Sequence, residues 1–269
     1  RPYIMGILNV TPDSFSDGNR YLDAAGAVAR GLEMAVEGAG IIDVGGESTR
    51  PGAAAVTAEE EKRRVVPVIA ELCRRFGQDR RSGAVVSVDT SKAEVALAAI
   101  EAGAAIVNDV SALAGDPRMA DVARESGAGV ILMHMQGNPR TMQDNPRYGD
   151  VADEVFQYLA TRIRDLAGLG LDAGRLAVDP GIGFGKTLEH NIELLRQLGR
   201  LRAVSGRPVV VGLSRKSFLG KLTGRDVDQR LIPGIAALSF CLTRGADVVR
   251  VHDVRESADA VRVVAALTG

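Results

Sequence analysis

The sequence holds only two cysteines in 269 residues, Cys73 and Cys241, with no CxxC pair. That argues against a disulfide framework and a thiolate zinc site, and two buried free thiols in a reducing compartment are expected. Long hydrophobic runs are also missing: none approaches the roughly 20 residues of a membrane helix. Charge of one sign is missing too. A net charge of -1 gives no electrostatic reason to expect nucleic acid or an acidic membrane surface. The first residues lack the basic and apolar regions of a signal peptide, so the Asn9-Val10-Thr11 sequon is discounted and a cytoplasmic location is expected. No HExxH, His/Cys cluster or EF-hand loop is present, which disfavours zinc and structural calcium. No GxSxG elbow is present and neither cysteine has local basic partners, which disfavours a covalent enzyme intermediate.

What is present is a repeated alternation. Strand-like runs fall at Tyr3–Val10, Ile41–Gly46, Val85–Thr90, Ala105–Val110, Gly129–Met135, Leu176–Pro180, Pro208–Ser214 and Val248–Asp253. Helical periods lie between them. Val28, Leu32, Ala35 and Val36 share one face, and Val65, Ile69, Leu72 and Phe76 share another, where Pro67 predicts a kink or shift. Thr57 with Glu60, Ser91 with Glu94, and Asp253 with Glu256 have capping-box spacing, and Asp116-Pro117 reads as a cap followed by a first-position proline. With 46% apolar residues and no composition shift, the chain has core enough for one domain over 1–269. About eight βα units predict a parallel sheet closed as a (β/α)8 TIM barrel. An open doubly wound sheet would need a glycine-rich turn after the first strand, and Asn9–Ser14 is not one. Two loops, roughly Thr11–Arg20 and Glu47–Val56, are long enough to act as lids.

The chemistry gathers at the strand ends. Pro180–Thr187 nearly matches a phosphate-binding P-loop, but proline replaces its first glycine and no matching magnesium acid follows. A cation cluster is the better holder of a diphosphate: Arg50, and Arg250 with His252, which alternation puts on one side of the last strand. Asp89, Asn108 and Asp179 end three strands, and Lys216 follows a fourth. Mutual pairing is one reading of these four. The other is a polar heterocycle whose aminopyrimidine-like edge they would satisfy, since polar groups in a barrel mouth are costly without partners. Magnesium held mainly by substrate phosphates would leave almost no sequence mark, and Asn9 or Asp13 offers an oxygen.

Gly6–Gly18 and Asp43–Gly52 resemble the first two signatures of the dihydropteroate synthases. Met133–Gly137, Asp179–Lys186, Gly212–Phe218 and Arg250–Asp253 follow in family order, so the resemblance covers essentially the whole chain. It implies a transferase of folate synthesis, joining a hydroxymethyl-dihydropterin diphosphate to 4-aminobenzoate with loss of pyrophosphate. It implies that Asp89, Asn108, Asp179 and Lys216 hold the pterin, and that Thr49, Arg250 and His252 bind the diphosphate, with Arg50 closing from its loop. Asn9 would bind Mg2+ with the phosphates. Phe15, Thr49, Pro51, Phe184 and Ser217 would border the aminobenzoate pocket. Asp13 and Asp17 would order the site, with Asp17 beside the cationic pterin methylene. Small-molecule substrates, inhibition by sulfonamides and a homodimer are also implied.

Two departures stand out. Asn19 replaces a glycine common in the family, and Ile232–Ile235 replaces smaller or hydroxyl residues near the region used for dimer contacts. The rival readings are a pterin-binding methyltransferase domain, which would lack the first lid sequence, and a non-catalytic pterin binder, which would have lost Asn9, Lys216 or Arg250.

Overall fold

The computed structural model describes residues 2–11, 20–48, 55–78, 83–138 and 141–269, with the side chains of the first helix described from residue 24. The eight expected runs form eight parallel strands: β1 (Tyr3–Asn9), β2 (Ile41–Gly45), β3 (Val85–Asp89), β4 (Ile106–Asp109), β5 (Gly129–Met133), β6 (Leu176–Asp179), β7 (Val210–Gly212) and β8 (Val248–Val251). Their order is β6-β5-β4-β3-β2-β1-β8-β7. A single parallel bridge, Val178 to Val209, brings β6 to β7 and closes the ring. The seventh run is shorter than its apolar stretch suggests. Pro208 has no N–H to give to the ladder, and the Val209 N–H goes to the Asp247 carboxylate at 2.9 Å.

Ten α-helices surround the sheet among the described residues: α1 (Arg20–Glu37), α2 (Ala58–Gln78), α3 (Ala93–Glu101), α4 (Met119–Ser126), α5 (Val151–Gly168), α6 (Leu188–Arg196), α7 (Leu198–Ser205), α8 (Ser217–Thr223), α9 (Leu231–Thr243) and α10 (Val254–Thr268). The main core lies between sheet and helices, where Leu8, Ile42, Val44 and Val88 of the strands meet Val65, Ile69 and Leu72 of α2 and Phe156 and Leu159 of α5. Burial of this apolar surface is the chief driving force for the layer arrangement.

Helix α2 continues through Pro67 for 21 residues. The caps are partly as expected. Thr57 Oγ accepts from Glu60 N at 3.2 Å, but the Ser91–Glu94 box does not form. Lys92 occupies the α3 cap position without a side-chain cap bond. Asp116 reaches across to accept from Ala93 N at 3.0 Å with one oxygen while the other accepts from Arg118 N at 3.0 Å, so the acid serves both its own helix start and its neighbour's. Asp253 makes no cap bond either; its carboxylate takes Arg215 at 2.8 Å. A full box that spacing did not show forms between Thr187 and His190 at the start of α6. Cys241 is buried and Cys73 half-buried, and both are free thiols.

Candidate active site

Strand alternation decides what faces the lumen. Met5, Ile41, Ile131, Val210 and Val248 form a small buried cluster of their own, with Ile106 and Ala177 against it. Two residues further along these strands stand Asp43, Asn108, Asp179 and Arg250, all inside the same ring. The lumen therefore has an apolar floor and a polar upper layer at the carboxyl ends of the strands, the end where barrel enzymes place their chemistry.

Register aligns the upper layer. Asn9 pairs with Gly45, Gly45 with Asp89, and Asp89 with Asn108 across adjacent strands. Arg250 spans the ring from β8. Its Nε donates to Asp43 Oδ2 at 2.7 Å and its Nη2 to Asp89 Oδ2 at 2.6 Å. Asn108 Nδ2 donates to the same Asp43 oxygen at 3.1 Å. Burial drives the Arg250 guanidinium down, but Asp43 and Asp89 outweigh it and hold it above its ordinary value. Burial pushes the Asp89 carboxyl up to about 7, more than Arg250 pulls it down. Asp179 is raised as well, by burial against the opposing pull of Lys216; its Oδ1 accepts from Gly181 N at 2.7 Å. Lys216 is driven by burial down to about 8, with Asp179 partly offsetting this. A carboxyl held at about 7 and an amine at about 8, converging in a cleft, are the mark of a working site.

The glycine-rich segment after β6 is no phosphate loop. A phosphate loop turns its N–H groups to an anion. Here Gly181 N is taken by Asp179 and Gly183 N by Asn191 Oδ1 at 2.7 Å. Instead the carbonyls are held one after another. Gly181 O accepts from Phe184 N at 3.0 Å, Ile182 O from Lys216 Nζ, Gly183 O from Gln143 at 2.5 Å, Phe184 O from Lys186 Nζ at 2.9 Å, and Gly185 O from the Tyr148 hydroxyl at 2.9 Å. Gly181, Gly183 and Gly185 have φ of +69°, +83° and +64°, a region costly for other residues. Phe184 is half-buried, and Lys216 Nζ stands 4.4 Å from its ring centroid.

His252 lies at the rim, its Nδ1 3.0 Å from Ser214 Oγ. Arg215, beside Lys216, has φ +60°, a strained backbone of the kind found at working sites. Ser217 is exposed at the first turn of α8. The structure thus brings Asp89, Asn108, Asp179, Lys216 and Arg250 into one mouth, with Asn9, His252, Phe184 and Ser217 on the surrounding strand ends and loops. Asp13, Phe15, Asp17, Asn19, Thr49, Arg50 and Pro51 lie outside the described residues. The edges of the second long loop are tied together: Glu47 accepts from Val56 N at 2.9 Å and from Lys92 at 2.5 Å, and Lys92 also bonds the buried Glu61.

Sequence reasoning gave no role to Asp43, although its place three residues into an apolar strand run made it a lumen-facing acid. It also passed over His134 and Lys186. Among the described residues no group of three or more His, Cys, Asp or Glu side chains is placed to hold a metal ion. Asn9 offers one half-buried amide oxygen in the row with Asp89, a donor set that suits magnesium only if phosphate oxygens supply most of the ligands.

The family model for pterin-binding enzymes matches residues 5–252. This chain belongs to that family. The pterin-binding enzyme is 46% identical over 265 residues to the dihydropteroate synthase of Escherichia coli (strain K12), covering 98% of this chain and 91% of that protein. A solved dihydropteroate synthase of Xanthomonas albilineans with 4-aminobenzoic acid superimposes with a TM-score of 0.91 at 47% identity, covering 100% of this chain and 94% of the other. The same protein with 7,8-dihydropteroate gives 0.88 at 44% identity, again covering 100% and 94%. The (β/α)8 architecture and the membership expected from the sequence both hold. No helix among the described residues is long and apolar enough to cross a membrane.

Proposed function

We propose that this pterin-binding enzyme is a dihydropteroate synthase. It condenses 6-hydroxymethyl-7,8-dihydropterin diphosphate with 4-aminobenzoate, giving 7,8-dihydropteroate and pyrophosphate in folate biosynthesis. The observation that carries the reading is the upper lumen layer. Three carboxyls, an amide and an amine face one space at the strand ends, and an arginine crosses it.

Asp179 and Asp89, when ionised, would accept N–H bonds from the pterin edge, Asn108 would donate and accept, and Lys216 would donate to a ring acceptor. Arg250 and His252, with Thr49, would take the diphosphate, and Arg50 would add charge from its loop. Asn9 would hold Mg2+ together with the substrate phosphates; when bound, the ion would neutralise charge on the departing pyrophosphate. Loss of pyrophosphate leaves cationic character on the pterin methylene, which Asp17 would stabilise while Asp13 orders the loop. The neutral arylamine then attacks from a pocket bordered by Phe15, Thr49, Pro51, Phe184 and Ser217, and the loops would keep water from the cation. Sulfonamides, which resemble 4-aminobenzoate, would compete there. We place the enzyme in the cytoplasm as one barrel domain over 1–269. A homodimer would use α9, where Leu231, Ile232 and Phe240 are exposed.

The test is release of pyrophosphate from the pterin diphosphate with magnesium, with and without 4-aminobenzoate. Release that depends on the arylamine, with dihydropteroate as product, is the expected result. Pterin binding without release would make the protein a binder.

A further inference from the structure

A lysine hidden from solvent is expensive unless something specific needs its ammonium. Lys186 is 3% exposed and touches neither the lumen floor nor the surface. Its Nζ lies between two loops at the carboxyl end of the barrel. It donates to Phe184 O at 2.9 Å, to His134 O at 3.3 Å, and lies 3.1 Å from His134 Nδ1. The Phe184 carbonyl has no other donor among the described residues. Burial drives His134 down to about 3, with Lys186 adding to the shift, so its ring is neutral and Nδ1 is free to accept. Burial drives Lys186 itself down to about 7. Without its extra proton the amine still donates to both carbonyls, and its lone pair accepts a hydrogen bond from His134 Nδ1–H in the other tautomer. All three contacts therefore survive titration.

The two loops are in direct backbone contact here. A Cβ on Gly181 would overlap the His134 carbonyl oxygen, and one on Gly185 would come within 2.8 Å of Gln136 O. Lys186 is the side chain that fastens this contact from inside. The segment it fastens carries Ile182 O, the anchor of Lys216, and the Phe184 ring beneath the Lys216 ammonium.

We propose that Lys186 is a positioning residue: by bonding the carbonyls of Phe184 and His134 it locks residues 180–186 onto residues 134–136 and so fixes where Lys216 and Phe184 stand. The assignment rests on the reading of Lys216 and Phe184 given above. Lys186 touches neither substrate nor metal; it acts through the peptide it holds.

The experiment compares Lys186→Met and Lys186→Gln with the wild-type enzyme. Binding of 6-hydroxymethylpterin, and separately of pyrophosphate with magnesium, is measured by calorimetry, together with the KM for 4-aminobenzoate and the melting temperature. Methionine keeps the length and leaves buried acceptors without donors. The expected result is about tenfold weaker pterin binding and a similar rise in the aminobenzoate KM, with pyrophosphate affinity within about twofold. Glutamine restores donors to the carbonyls without charge and is expected to recover about half of that loss on a logarithmic scale. If Lys186→Met does not fold, Lys186→Gln against wild type carries the test: pterin affinity must fall by about threefold while pyrophosphate affinity holds. A lowered melting temperature with unchanged pterin affinity and aminobenzoate KM would overturn the proposal and leave Lys186 a stabilising residue only. Equal weakening of pterin and pyrophosphate would overturn it too. Wild-type protein that fails to bind the pterin would instead overturn the proposed function, so the two failures are distinguishable.

Discussion

The two ends of the barrel lumen are built from the same strands, two residues apart, yet they have opposite characters. The carboxyl end is polar: Asp43, Asp89, Asn108, Asp179 and Arg250 face one another and are bonded. The amino end opens below the apolar floor into a cavity of about 800 Å³ lined by Ile41, Ile131, Val210, Val248, Leu242 and Val261, among others. Its charged side chains are Arg175, which pairs with Asp172 at 3.7 Å, and Arg202 and Asp247, which pair with each other at 2.9 Å. Volume therefore does not locate the chemistry. This hollow is mostly apolar-lined, whereas the site end carries many directed polar contacts. In a parallel barrel the amino end tolerates whatever packing allows, and the carboxyl end must hold loops in set positions.

The comparison breaks most severely at Gly181. Gly181→Ala adds a Cβ that overlaps the His134 carbonyl at a backbone with φ +69°. Together the strain and the overlap should cost about 3 kcal/mol or more. Denaturant unfolding is expected to show that loss, with pterin binding abolished at the same time. Unchanged stability would mean the two loops are free to part.

Arg250→Met comes next. It leaves Asp43 and Asp89 as neighbouring buried carboxylates without their counter-ion, a change that costs about 3–5 kcal/mol in comparable buried pairs. The check is the shift in the urea midpoint, with Asp43→Asn in the same chain expected to return part of it. If the double variant is no more stable than the single one, Arg250 is not what keeps the two acids together.

Lys216→Ala should weaken pterin binding by about ten- to a hundredfold, because buried acceptors lose a donor. Stability should rise slightly or hold, since a buried cation is removed. Calorimetry with 6-hydroxymethylpterin reads the first and thermal unfolding the second. Undiminished affinity would remove Lys216 from the pterin subsite.

Titration sharpens the contrast further, because the carboxyl end carries groups that change charge near neutrality. The Asp89 carboxyl, pushed up to about 7, binds its proton more tightly folded than unfolded. Its stability contribution is present below about pH 4 and is lost as pH rises through 7. Pterin binding runs the other way, since an N–H donor needs the ionised carboxyl. Affinity for the pterin should therefore fall as pH drops below about 7, and Asp89→Asn should flatten that limb. An unchanged limb in the variant would assign it to Asp179, which burial also raises.

Much of this contrast was legible in the sequence and part of it was not. Apolar runs that end in Asp89, Asn108 and Asp179 announce both the strands and the acids, because period-two alternation puts floor and site on one face. Asp43 sits inside such a run and was not separated from it. Its partner Arg250 is 207 residues away, and only ring closure through β1 and β8 brings them together. Lys186 was given no role by the sequence reading. Its burial depends on a contact between the loops after β5 and β6 that no local pattern encodes. The Ser91–Glu94 box failed for a similar reason: Asp116, from the next βα unit, reached the α3 amide first.

The smallest effect is expected at the amino end. Arg202 pairs with Asp247 at the amino end, with the arginine 56% exposed. Such a pair is screened by water and contributes about 0.5 kcal/mol or less. Asp247 also accepts from Val209 N at 2.9 Å, so the β7 end keeps its partner when the arginine is removed. Arg202→Ala should then leave the urea midpoint nearly in place and turnover, pterin affinity and aminobenzoate KM unchanged. A selective loss of pterin affinity in this variant would show that the floor transmits strain between the two ends. The apolar layer of Met5, Ile41, Ile131, Val210 and Val248 would then be a lever under the site rather than a partition.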